Sequence, residues 1–373
     1  MTVFLVSEFD PLHHGHVYIM KKAREIFPGC DLVCVMSGNY TQRGTPAVID
    51  KFRRAEAAVC CGADLVLSLP FPWCSGSAEF FARGALSVIS GFYRKGDALI
   101  FGSECADAEY LMKTAENLSS ASFRSALKEK IAGHEMPYAE ARQALYEELY
   151  GECPALSSRN DILALEYIKA AKELGLELLF TPVKRENGFA SSSAIRRSAD
   201  PASLLPAPMR MQFLQASRAG EVPASYKNFE KAIIYHLRKG AGGSAESGYG
   251  VAERLSKAAR DAKNIEEVFE KAASSAYTDA KMRRATLFSL LGVTQEELHG
   301  SPVYTQILAA DRRGLKKLSS VRKESKITVI TKPADAPKQF DTERRADELY
   351  CMFTPKTLRF GEYIRRTPFI SEE

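Results

Sequence analysis

Apolar and polar positions fall into two kinds of block along the first half of the chain. Val3–Val6, Asp31–Met36, Asp64–Leu69, Asp97–Gly102 and Leu176–Val183 are short, almost continuous apolar runs, the pattern of strands buried on both faces. Between them apolar residues recur at helical spacing, near 14–27, 46–61 and 75–91 and in several segments from Ala106 to Leu174. Strand alternating with helix predicts an α/β fold built on a five-stranded, parallel, doubly wound, Rossmann-like sheet with helices on both faces. Ligands of such sheets sit beyond the carboxyl ends of the strands, where the strand order reverses. Past Arg197 the pattern changes. Pro201, Pro206 and Pro208 mark a boundary, so residues 1–200 read as one domain and 201–373 as a second, mainly helical one. Within the second, Gly240 to Gly250 reads as a mobile loop and Val329–Thr331 as a late strand.

A chain of 373 residues suits two domains, and 20 Phe with 15 Tyr can furnish a substantial core. No apolar run reaches the roughly 18 residues of a membrane span, and the chain starts directly on a core strand, so neither an anchor nor a secretory leader is expected. Eight scattered cysteines without a Cys-x-x-Cys pair read as small core residues of a reducing cytoplasm. The net charge of +5 hides an asymmetry: residues 1–200 carry 22 Lys and Arg against 25 Asp and Glu, residues 201–373 carry 29 against 21. The excess is concentrated between Lys281 and Lys326, where Lys281, Arg283, Arg284, Arg312, Arg313 and Lys316 are candidates for contact with a polyanion. A solvated helix face carries similar charge.

The chemistry concentrates at strand ends. His13-His14-Gly15-His16 lies on the first strand-to-helix crossing, where helix N–H groups attract anions and a glycine lets a ligand approach the backbone. His13 and His16, spaced around Gly15, can donate hydrogen bonds to a phosphate in adenylyl transfer. Asp10 either orients a histidine or touches the nucleotide, or simply turns the chain before Pro11. After strand two, Ser37 to Gly44 is small and polar with Arg43 able to reach an anion, and Lys51 or Arg54 can meet a triphosphate or RNA backbone while Arg53 is solvated. Leu69-Pro70-Phe71-Pro72-Trp73 after strand three lines an organic-acid pocket or plugs the sheet end. At the end of strand four, Gly102 lets a nucleoside lie against backbone, and Glu104 can position a metal or hydroxyl. After strand five, Ser191-Ser192-Ser193 with Arg196 either caps a short helix or makes a second anion cradle, in which Ser193 and Arg196 would take the departing pyrophosphate.

Taken in order, Glu8-Phe9-Asp10-Pro11-Leu12 with the His tetrad, Met36-Ser37-Gly38-Asn39, Gln42-Arg43-Gly44, Leu69-Pro70-Phe71 and Phe101-Gly102-Ser103-Glu104 resemble the bacterial tRNA(Met) cytidine acetate ligases, among the HxGH nucleotidyltransferases. The likeness continues through Asn160-Asp161-Ile162-Leu163, Lys184-Arg185, Tyr277-Thr278 and Arg283-Arg284. It implies a nucleotidyltransferase (HUP-type) sheet that forms acetyl-adenylate from acetate and ATP, then acetylates the wobble cytidine N4 of elongator tRNA(Met). Val6, Ser7, Glu8, Phe9, Asp10, Pro11, Leu12, His13, His14, Gly15 and His16 would hold the ATP phosphates, with His13 and His16 stabilising the pentavalent phosphorus. Gly102, Asn160 and Arg185 would contact the nucleotide. Magnesium would travel on the triphosphate, held mostly by phosphates and water; no metal ligands stand out in the sequence, and no stable protein partner is implied. The pattern departs from the family at Asp10 and Asp161, each where Asn is usual, and in the short run from Arg185 to Ser191, departures that bear on acid specificity. Other readings fit parts of the chain: a small-molecule adenylyltransferase of the pantetheine-phosphate or nicotinate-mononucleotide type, a divergent paralogue using another acid or RNA, and a non-catalytic RNA-binding protein that retains a nucleotide site.

Overall fold

In the computed structural model, residues 1–372 are described except 133–136, 187, 249, 275 and 322–324. The five apolar runs form β1 (Thr2–Ser7), β2 (Asp31–Ser37), β3 (Leu65–Leu69), β4 (Ala98–Ser103) and β5 (Leu179–Lys184). All pair in parallel, in the order β5-β4-β1-β2-β3. Val3, Phe4, Val33, Cys34, Val66, Leu67, Leu99 and Ile100 are fully buried, as a sheet covered on both faces requires.

The sheet is larger than five strands. β6 (Tyr304–Ala310) pairs antiparallel with β3, and β7 (Thr328–Ile330) and β8 (Phe369–Ile370) both pair with β6, giving eight strands. The chain beyond residue 201 therefore builds a helical layer and then returns to complete the sheet. In β6, Thr305 and Gln306 break the apolar run, so its strand character is weak in the sequence. Both are nevertheless buried, and the Thr305 hydroxyl donates to the Ser68 carbonyl at 2.7 Å. The stretch from Gly240 is a loop of turns, anchored at two alanines. Ala241 and Ala245 are buried, and the Ala245 N–H donates to the Val293 carbonyl at 2.7 Å.

Two cations expected to face ligands instead hold the rim together. Arg54, fully buried, donates from Nε to the Ile49 carbonyl at 2.8 Å and from its Nη atoms to the carbonyls of Glu8, Ser37 and Gly38. It thereby ties the ends of β1 and β2 together. Lys51 is equally buried and pairs with Glu343 at 2.8 Å and Asp347 at 2.7 Å, both on the helix Phe340–Phe353. Arg53 is not solvated but pairs with Glu221 at 3.0 Å. Phe71 and Trp73 are likewise fully buried, and the Phe71 N–H donates to Glu343 at 2.7 Å, so the segment after β3 plugs the sheet end and leaves no acid pocket there.

Candidate active site

The helix His14–Ile26 follows β1 after six residues, and His13 is its N-cap. The cap is a reciprocal one made by imidazoles. His13 Nδ1 accepts the Gly15 N–H at 3.1 Å, while His16 Nδ1 accepts the His13 N–H at 3.2 Å. A neutral imidazole that accepts at Nδ1 carries its proton on Nε2. Both rings are therefore fixed as Nε2–H donors, and neither Nε2 has a partner among the described residues. The rings stack with centroids 3.8 Å apart and planes 28° from parallel, and Phe9 meets His16 edge-on at 5.0 Å.

Two protonated imidazoles could not share so short a separation. Burial, then the charges of Arg185, His14 and Arg196, lowers the pKa of His13 to about 4. Burial and His13 hold His16 well below the ordinary histidine value. Both are neutral donors at physiological pH, and the Arg185 and Arg196 charges act at His13 from the ends of two other segments. Glu8, beside them, is raised chiefly by burial, against the Gln42 N–H that it accepts.

Gly15 keeps this arrangement open. A Cβ there would lie 3.0 Å from His13 Cε1 and 3.1 Å from Nδ1, with Phe189 Cβ at 3.9 Å. Gly15→Ala is expected to fold normally, because alanine suits a helix, but to push the His13 ring off its cap. Nucleotide-dependent turnover should fall on the order of 100-fold, since removing one aligned transition-state donor costs about that much. Wild-type activity from a well-folded Gly15→Ala protein would refute this.

The remaining expected site residues fall into three groups. Val6, Phe9 and Leu12 are buried in the core, so any ligand meets their backbone only. Asp10 neither orients a histidine nor faces the cleft: Oδ1 accepts the Val48 N–H at 2.7 Å, and Oδ2 lies 3.2 Å from Arg196 Nη1. Arg196 also donates to the Asp10 carbonyl and, through Nη2, to Ser193 Oγ at 3.3 Å. Ser191 caps the six-residue helix Ser192–Arg197, so the cap and the basic side chain occur together. Gly102 on β4 faces the first helix, its would-be Cβ 3.4 Å from Ile19 Cδ1.

Beside β4 lies a cleft of about 460 Å³, lined by Glu104, Pro154, Ser157, Ser158, Arg159, Asn160 and Arg185. Its volume is in the range of small-molecule sites, roughly 300–1,000 Å³. Strand order reverses between β1 and β4; the tetrad follows β1, and the cleft takes Glu104 from the end of β4 and Arg185 from the end of β5. Asp161 is buried and its oxygens are taken by the Ser103 hydroxyl and the N–H groups of Glu104 and Cys105, so it presents no free carboxylate. Pro154, Ser157, Ser158 and Arg159 of the cleft, and Phe189 beside the tetrad, escaped the sequence reading. Ser158 emerges as the cap of the helix Arg159–Glu173, and Phe189 approaches the His14 ring at 6.4 Å. The one sequence signal for Phe189 was a lone aromatic in the polar run between Lys184 and Ser191.

The basic stretch is divided. Lys281, Arg283 and Arg284 lie on the helix Asp279–Leu291, which abuts the turn after β2 so closely that a Cβ on Gly44 would be 2.6 Å from the Arg284 nitrogen. Arg283 pairs with Asp279 at 2.8 Å and Arg284 with Glu246 at 2.9 Å, whereas Lys281 stands 4.9 Å above the Tyr277 ring. Arg313 donates to the carbonyls of Gly29 and Cys30, at the opposite end of the sheet where β2 begins. Exposed Arg312 and Lys316 share its helix, so those three are not gathered with the tetrad.

Comparison with known proteins agrees with this geometry. A family model described as HIGH Nucleotidyl Transferase matches residues 1–362. The tRNA(Met) cytidine acetate ligase of Caldanaerobacter subterraneus subsp. tengcongensis is 31% identical over 91% of this chain and 90% of its own. The chain belongs to the tRNA(Met) cytidine acetate ligase family. A tRNA(Met) cytidine acetate ligase from Limosilactobacillus reuteri is 30% identical, covering 95% of this chain and 96% of its own. A crystal structure of Thermotoga maritima TmcAL bound with alpha-thio ATP superposes with a TM-score of 0.91 at 28% identity, covering 99% of both chains. The likeness to this family thus spans the helical layer and the returning strands as well as the nucleotide half.

Proposed function

We propose that this protein joins acetate to the N4 amine of a cytidine in tRNA(Met), the wobble base of the elongator, at the expense of ATP. The observation that carries the reading is the pair of imidazoles locked as neutral Nε2–H donors at the β1 end, in a chain that matches acetate ligases over nearly its whole length. In the first step an acetate oxygen forms a bond to the α-phosphorus of ATP and the bond to pyrophosphate breaks. Displacement at phosphorus needs positioning and charge stabilisation more than a covalent protein intermediate. His13 and His16 supply hydrogen bonds where negative charge grows, while Arg185 and the Arg196–Ser193 pair supply positive charge beside them. In the second step the cytidine amine attacks the acetyl carbonyl, AMP leaves, and the amine proton is released.

The residues suit this substrate. The cleft lined by Glu104, Asn160 and Arg185 has room for a nucleoside, and the charges of Arg185 and Arg196 act at His13, where phosphates would lie. A magnesium ion would be carried by the triphosphate and water. Asp10 and Asp161 are committed to structural partners, so the departures at these positions add no free carboxylate to the pocket, which supports acetate itself as the acid.

We assign residues 1–200 to nucleotide chemistry and 201–373 to holding the RNA. The group around Lys281, which adjoins the turn carrying exposed Arg43, supports that assignment better than Arg312, Arg313 and Lys316 do. No helix among the described residues is long and apolar enough to cross a membrane; because it would act on tRNA, we place the protein in the cytoplasm. Incubation with labelled acetate, ATP and unmodified tRNA(Met) transcript tests the whole reading. N4-acetylcytidine should appear after nuclease digestion. Label that remains in a small-molecule adenylate conjugate, with none in RNA, would favour an adenylyltransferase instead.

A further inference from the structure

Glu104 touches three residues of the cleft, and its own backbone is held in place. Asp161 accepts the Glu104 N–H at 3.1 Å and the Cys105 N–H at 3.3 Å, and also binds the Ser103 hydroxyl, which fixes the turn after β4. From that turn Glu104 Oε1 accepts Asn160 Nδ2 at 2.9 Å and lies 3.8 Å from Arg185 Nη1. Oε2 accepts the hydroxyl of Ser158, the cap of the helix that carries Asn160. One carboxylate thus joins side chains from the end of β5 and from the first turn of a helix.

The consequences are specific. An amide that gives one N–H to Glu104 has its rotamer and its O/N orientation fixed, so Asn160 presents its carbonyl oxygen and its second N–H in set directions. A half-exposed arginine would otherwise sample many rotamers, and a ligand that captured it would bear that ordering cost. We propose that Glu104 is a positioning residue of the nucleotide cleft, holding the Asn160 amide in one orientation toward a nucleoside and Arg185 as a preset cation for phosphate. This rests on the nucleotide assignment above and deepens it. Glu104 acts through its neighbours; its oxygens are already engaged by them.

The test measures ATP dependence of acetate-driven pyrophosphate exchange in the full-length protein carrying Glu104→Ala, Glu104→Gln, Asn160→Ala, Arg185→Ala or Glu104→Ala with Asn160→Ala. Glu104→Ala should raise the KM for ATP by about tenfold with kcat nearly unchanged, because preorganisation is lost and no transition-state contact is. Glu104→Gln, which keeps an acceptor for Asn160 but not the charge facing Arg185, should raise it less. The double variant should raise the KM by less than the product of the two single effects, as expected of residues that share a contact. Unchanged KM in Glu104→Ala, or effects of Glu104→Ala and Asn160→Ala that multiply, would overturn the proposal. If Asn160→Ala and Arg185→Ala both bind ATP like the wild type, the nucleotide assignment itself falls and the proposal with it. Unaltered thermal unfolding of Glu104→Gln separates positioning from damage to the fold.

Discussion

Replacing His13 and His16 together by alanine is expected to abolish acetate-dependent exchange of pyrophosphate into ATP while leaving RNA binding intact. Each ring contributes one Nε2–H donor, and loss of a single preorganised donor costs on the order of 10²- to 10³-fold in turnover. Because the rings stack at 3.8 Å and the His16 ring accepts the His13 N–H, the two losses should not be independent. His13→Gln, whose amide NH2 can replace the donor, should retain more activity than His13→Ala. The sign of the pH dependence follows from the same geometry. With His13 held at about 4, the ring gains a proton only as the pH falls toward that value. Exchange should therefore show no inflection attributable to these imidazoles between about pH 6 and pH 8. A histidine-like inflection in that range, removed by His13→Ala, would contradict the neutral-donor picture.

The largest effect on stability is expected at Lys51. Its ammonium is fully buried between Glu343 and Asp347, and removing one partner of a buried ion cluster leaves uncompensated charge, at a cost of about 3–5 kcal/mol. Lys51→Met should lower the urea midpoint accordingly. Adding Glu343→Gln and Asp347→Asn should recover much of the loss, because the stranded charges are then gone. Burial, and Glu343 alongside, push the Asp347 carboxyl up to about 7 in spite of the Lys51 ammonium. A folded value above the unfolded one, about 3.9, means this group's contribution to stability is complete below about pH 4 and is lost as the pH rises through about 7. Relative to Asp347→Asn, the wild type should thus weaken over that window. Equal urea midpoints for Lys51→Met and wild type would show that the cluster does not hold the C-terminal helix on the sheet.

How much of this could be read from the chain depends on whether a signal is local. β1 to β4 were legible because each is buried on both faces and so is nearly all apolar, whereas β5, at the sheet edge, has only Val183 buried and was marked by its apolar run alone. The tetrad was legible because its spacing marks a helix start. β6 was not, since Thr305 and Gln306 are polar residues whose burial depends on β3 and β7, far away in sequence. Lys51 and Arg54 illustrate the same limit from the other side. Three residues apart on one helix, they look like an anion-binding face. Their actual partners are carboxylates about 290 residues later for Lys51 and strand-end carbonyls for Arg54. Asp10 was ambiguous because its partner, Arg196, lies 186 positions away. Local pattern located the rim and the imidazoles; which charges face the ligand and which bind the protein to itself was decided by tertiary contacts.

Exchange of labelled pyrophosphate into ATP, by the purified protein with no RNA present, tests most directly whether this rim activates an acid by adenylation. The label should enter ATP when acetate is supplied and stay out when it is withheld. Failure to label ATP with acetate present, or labelling that is indifferent to acetate, would contradict the account.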